Sequence, residues 1–99
     1  MTRQLILVPK AASDLSDIWD YTVERWSLPQ ARAYASGITA VLTLLCEQPE
    51  IAQVFGKLRS PVRVYRFRSH LVIFTADDST VEVIRVVHSR SNWQILLGD

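Results

Sequence analysis

The sequence predicts an α+β fold in a single domain, residues 1–99, in the order strand, helix, helix, strand, strand, strand. Three observations predict it. Residues 81–90 hold four valines and an isoleucine within seven positions. Turn residues close that stretch on both sides, Asp77-Asp78-Ser79 before and Ser89-Arg90-Ser91 after, and β-branched side chains at this density favour a strand. Residues 9–48 carry two apolar stripes at three- and four-residue spacing, interrupted at Ser27-Leu28-Pro29-Gln30, which is the pattern of an antiparallel helical hairpin. Residues 62–67 and 71–75, separated by Arg68-Ser69-His70, read as a β-hairpin that runs on into 81–88. The last three strands therefore form an antiparallel meander. The N-terminal strand joins it beside 81–88, and the helical hairpin covers one face.

The first strand, residues 5–8, is wholly apolar and predicts burial on both faces. Pro9 stops it and suits the first turn of a helix, where a missing N–H costs nothing. In the helix at 9–26 the stripe is Ala11, Leu15, Ile18, Trp19, Thr22 and Trp26. Asp14 and Asp17 read as a solvated face, favoured near the N-terminus by the helix dipole. Trp19 and Trp26 have core spacing, and Trp26, at the helix end, alternatively contacts a partner. Ser27 caps the second helix, with Gln30 placed to complete a capping box. Its stripe is Ala31, Tyr34, Ala35, Ile38, Leu42 and Leu45, widened by Val41 and Leu44. Gly37 inside it suggests a close approach of the two helices. Pro49 ends the helix.

Residues 49–61 form a connection from which Val54, Phe55 and Leu58 tuck back onto the core. His70 reads as an exposed turn residue. Strict alternation along the last strand puts Val81, Val83, Arg85 and Val87 on one face, and Glu82, Ile84, Val86 and His88 on the other. A short tail, 91–97, anchors through Trp93, Ile95, Leu96 and Leu97. Two helices cover one sheet face, and the tail and the 49–61 connection leave most of the second, apolar face bare. A bare apolar face of that size marks a binding surface, and strand 62–67 is the expected free edge opposite the first strand.

Composition narrows the function classes. With 48% hydrophobic and 21% charged residues the chain is neither disordered nor low in complexity. The formal net charge is +1, unevenly spread: four cations face six carboxylates in residues 1–56, and seven face four in residues 57–99. Six of those seven are arginines, which favour bidentate contact with carboxylate or phosphate. The single cysteine, Cys46, allows no internal disulfide and lies where it fills the core. No apolar run approaches the ~20 residues of a membrane span, and the N-terminus is too short for a secretion signal, so a cytoplasmic protein is expected. Nothing in the sequence calls for a cofactor or a metal.

Several stretches also resemble a known family. They are Ala11-Ala12-Ser13-Asp14-Leu15-Ser16-Asp17-Ile18-Trp19-Asp20-Tyr21 in the first helix, Leu45-Cys46-Glu47-Gln48-Pro49-Glu50 closing the second, Val64-Tyr65-Arg66-Phe67 with Leu71-Val72-Ile73-Phe74 in the hairpin, and Val83-Ile84-Arg85-Val86-Val87-His88-Ser89-Arg90. On these the chain resembles the RelE/ParE superfamily of bacterial type II toxins, and within it the ParE-like branch. The resemblance implies a toxin held by a tightly bound ParD-like antitoxin, whose flexible C-terminal segment wraps it. It implies DNA gyrase as the target, inhibited without catalysis, and no sequence-specific DNA binding by the toxin alone. The RelE-like branch implies instead cleavage of messenger RNA on the ribosome. A non-toxic interaction module of the same fold is the third reading.

These readings select different residues. For target or antitoxin binding they are Arg59, Arg63, Arg66, Arg85, His88, Arg90 and Trp93. For a nuclease they are His88 as general base with Lys57, Arg66 and Arg85 as cations for the phosphate, in places where RelE relatives keep basic residues. RelE relatives also carry a tyrosine near the C-terminus, and this chain has none after Tyr65. His88 has three open roles: capping of the strand end, partner contact or catalysis.

Overall fold

The computed structural model describes residues 2–56 and 61–97. The expectations placed on Lys57, Leu58 and Arg59, and on the Leu96 side chain, lie outside the described residues. The apolar run at the N-terminus forms β1 (Gln4–Leu7), and Pro9 opens α1 (Pro9–Arg25) at its first turn. The N–H groups of Trp26 and Ser27 both donate to the Thr22 carbonyl, at 2.9 and 3.1 Å, and end that helix. Ser27 then caps α2 (Leu28–Glu47), its Oγ accepting the Gln30 N–H at 3.2 Å. A 3-10 turn at Pro49–Ile51 leads into β2 (Gln53–Phe55). The hairpin follows as β3 (Val62–Phe67) and β4 (His70–Ala76), then β5 (Thr80–His88) and a one-turn helix α3 (Trp93–Leu96).

The five strands are ordered β1-β5-β4-β3-β2, with β1 parallel to β5 and all other pairings antiparallel. The meander and the place of β1 agree with expectation. The short β2 does not: it pairs with β3 from Gln53↔Val64 to Phe55↔Val62, so β3 is an inner strand and β2 the edge. Asp77 shapes the turn before β5. Its Oδ1 accepts the N–H groups of Ser79 and Thr80, both at 2.8 Å. Those two bonds hold its carboxyl below the usual carboxylate range.

The main core lies between the helices and the sheet. Ala11, Ile38, Leu42, Leu45, Cys46, Val72, Phe74, Val81, Val83 and Val86 are buried there, with Ala52. Cys46 is a core filler, as expected. Gly37 serves a different contact from the one its position suggested. A Cβ built on it would stand 2.5 Å from Cζ of Phe67, so it is the ring from β3, not α1, that glycine admits.

Three further expectations are corrected. β1 is not buried on both faces. Leu5, Ile6 and Leu7 are 36–38% exposed, because an edge strand has a neighbour on one side only. The second sheet face is not bare. Trp93 is buried over Val62, Ile73 and Val87, with Phe55, Val64, Leu71, Ile84 and Leu97 packed around them. Phe55 meets the indole edge-on at 4.9 Å between centroids, so β2 and the tail close this face together. Ile95 is 69% exposed, not the anchor expected of it.

Candidate functional site

β5 does not alternate strictly. Ile73 pairs with Arg85 and Phe74 with Val83, so Ile84 has no partner on β4 and forms a bulge. An inserted residue shifts the facing of everything beyond it. Val81, Val83 and Val86 therefore share the helix side, whereas Ile84 and Val87 join Trp93 on the other. His88 follows Val86 to the helix side, where it borders a cleft with α1.

Asp14 secures the bulge. It is buried rather than solvated, since α1 packs along β5 and turns this residue onto the strand. Its Oδ2 accepts from Arg85 Nε at 2.7 Å and from the Val86 N–H at 3.0 Å, and Oδ1 accepts from Arg85 Nη2 at 3.1 Å. The two side chains are 10% and 17% exposed. A fork-to-fork contact of this kind satisfies the guanidinium, and the third bond supplies a partner for a strand N–H beyond the end of β1. The Asp14 hydrogen bonds push the Arg85 pKa up, against the opposing effect of burial. Arg85 is thus committed inside the molecule.

At the end of the sheet His70 and His88 face each other across β4 and β5, ring centroids 5.6 Å apart and edge to face. The hydroxyl of Tyr34, from α2, and His70 Nδ1 share a hydrogen bond of 2.6 Å. Burial pushes the Tyr34 pKa up to about 12, with Arg68 pulling it back, so the phenol keeps its proton. Burial, and then His88, push the His70 pKa down from its ordinary 6.5. Nδ1 of His88 accepts the Arg90 N–H at 3.1 Å, and its carbonyl accepts from Ser91 Oγ at 2.7 Å, so His88 caps the strand end. Both rings line one cleft. The indole of Trp26 and the ring of Tyr21 complete the cleft, which holds about 540 Å³.

The residues expected from the sequence do not converge. His88 lines the cleft, but neither Arg66 nor Arg85 contributes to it. Arg66 is exposed and donates from Nε to the Arg68 carbonyl at 2.7 Å. Arg63 is half-buried and bonds the Ala52 carbonyl at 3.1 Å. Arg90 is exposed beside His88. Trp93 is buried in the core of the second face. Lys57 and Arg59 lie outside the described residues. Asp14, Tyr34 and His70 were missed. Tyr34 was assigned to the core, and His70, the first residue of β4, is half-buried rather than an exposed turn residue. The expected core role of Trp26 also fails, because its indole is 68% exposed. Among the described residues no three His, Cys, Asp or Glu side chains gather as a metal site, and no helix is long and apolar enough to cross a membrane.

The family model described as "ParE toxin of type II toxin-antitoxin system, parDE" matches residues 5–93, from the second residue of β1 to the first of α3. The chain belongs to the ParE toxin family. Toxin ParE1 of Caulobacter vibrioides is 36% identical over 89 residues, 90% of this chain and 92% of that one. Toxin ParE1 of Mycobacterium tuberculosis is 29% identical over 91 residues, covering 91% and 93%. A solved structure titled "Chromosomal ParDE TA system from P. aeruginosa" superposes with a TM-score of 0.75 at 19% identity, over 88% of this chain and 96% of that one, which shows the shared fold. For a ParE-family chain, the resemblance noted in 11–21 and 83–90 falls on the two segments that the Asp14–Arg85 pair ties together.

Proposed function

We propose that this ParE-family toxin acts in the cytoplasm by binding DNA gyrase and blocking replication, without catalysing a reaction. A tightly bound ParD-like antitoxin neutralises it. The family match over nearly the whole chain carries the reading. The side chains support a binding protein over a nuclease. Of the proposed nuclease set, Arg85 is held by Asp14 and Arg66 turns to its own hairpin, so neither stands beside His88 to meet a phosphate.

For the antitoxin, the structure favours β1 over the second sheet face. Among the described residues no strand lies on the outer side of β1, and Leu5, Ile6 and Leu7 are exposed along it, whereas Trp93 covers the second face. An extended antitoxin segment that adds to β1 gains main-chain hydrogen bonds and buries those three side chains.

The assay uses purified toxin with gyrase and supercoiled plasmid in one tube, and with translating ribosomes in another. Inhibited supercoiling or trapped cleaved plasmid, with intact message, is the expected result. Message cleavage that disappears in His88→Gln, with gyrase unaffected, overturns the reading in favour of the nuclease.

A further inference from the structure

The indole of Trp26 lines two adjoining clefts. One is the histidine cleft of about 540 Å³. The other, about 450 Å³, shares Tyr21, Ser69 and His70 with it and adds Tyr34 and Arg68. Both are in the size range of small-ligand sites. Trp26 is 68% exposed and Tyr21 56%, at the end of a helix whose other face makes the core. Both residues thus keep more than half of their surface open to solvent. Cations accompany them. Arg25 places its Cζ 5.5 Å above the Tyr21 ring, and Arg68 lines the second cleft. Asp17 is the one carboxylate on the lining.

We propose that these paired clefts bind single-stranded DNA without sequence preference. One base lies in each cleft, in contact with the shared indole, and the backbone between them passes Ser69 and Arg68. Exposed aromatic rings offer a surface on which any base stacks, and flanking arginines neutralise the phosphates. Stacking reads no base edge, so the site agrees with the absence of sequence-specific binding that the family resemblance implies. A flat acidic protein surface would use the cations but leave two concave aromatic clefts unfilled. The choice of DNA over RNA rests on the gyrase reading, since the proposed target works on DNA.

The test is fluorescence anisotropy of labelled oligothymidylate with the full chain, in the absence of gyrase, with oligouridylate and polyglutamate as comparison and competitor. The expected result is binding that weakens with salt, the log–log slope falling by about 0.7 for each phosphate neutralised. Trp26→Ala weakens it at least about tenfold and Trp26→Phe restores most of it. Arg68→Gly lowers the slope by about 0.7. It suits the backbone, because Arg68 has φ 54°. Thermal melts of each variant establish that it is folded. No binding by the wild-type chain overturns the proposal, as does binding undiminished by Trp26→Ala or tighter binding of oligouridylate. Polyglutamate competing as well as DNA assigns the surface to an acidic protein instead. Because gyrase is absent, failure here is distinct from failure to inhibit supercoiling, which the plasmid assay reads separately.

Discussion

Replacing Asp14 with alanine removes all three acceptor contacts beneath α1 and leaves the Arg85 guanidinium and the Val86 N–H without partners. Both side chains of the pair are at most 17% exposed, so water reaches the orphaned groups poorly. Breaking a buried pair by removing one partner costs about 3–5 kcal/mol, and an unpaired buried N–H alone about 1–3 kcal/mol. For a domain of this length each kcal/mol lowers the melting temperature by roughly 4–8 °C, so a fall of at least about 12 °C is expected. Asp14→Asn keeps one acceptor and the shape but loses the charge, and should fall between wild type and alanine. The double variant Asp14→Leu with Arg85→Met leaves no buried charge and should recover much of the loss. Urea unfolding of wild type, Asp14→Leu, Arg85→Met and the double variant gives the coupling energy directly. A cost below about 1 kcal/mol for Asp14→Ala, or a double variant that is additive within about 0.5 kcal/mol, refutes the role assigned to this pair.

Two further substitutions test the packing and the histidine cleft. Gly37→Ala adds a Cβ 2.5 Å from Phe67 Cζ. It gains about 1 kcal/mol of helix propensity and loses about 1–3 kcal/mol to overpacking, so a net loss is expected in thermal melts, relieved by Phe67→Leu; a single variant more stable than wild type shows that the ring yields freely. His70 takes a proton less readily folded than unfolded, since burial and His88 lower its pKa from 6.5. Its contribution to stability is therefore complete above pH 6.5 and declines as the pH falls below that value, and His70→Gln should flatten the difference in urea midpoint between about pH 7.5 and about pH 5.5. An unchanged pH profile in the variant places the titrating group elsewhere.

The order of elements was legible because each long segment carries one clear period. The same holds for β1 beside β5, whose apolar runs match. β2 is three residues long, too short for any period to show. The bulge was hidden because Val83-Ile84-Arg85-Val86-Val87 is uniformly good strand sequence, with no glycine to mark the extra residue. Asp14 did leave a signal. It stands three residues after Ala11 and four before Ile18, within the apolar stripe, and a carboxylate there calls for a buried cation such as Arg85. Trp26 sits on the stripe by spacing alone. α1 ends before it, and Trp26 is 68% exposed.

The bulge explains why the cleft exists. With unbroken alternation from Val83, His88 would follow Glu82 and Ile84 to the side of the sheet that Trp93 covers. One extra residue at Ile84 returns His88 to the helix side, across from His70. That insertion disturbs the strand ladder, and Asp14 offsets the disturbance with its bonds to Val86 and Arg85. The arginine that the sequence offered to a partner is thus spent on holding the strand in the shifted register. The histidine beyond it becomes accessible, beside a bare tryptophan.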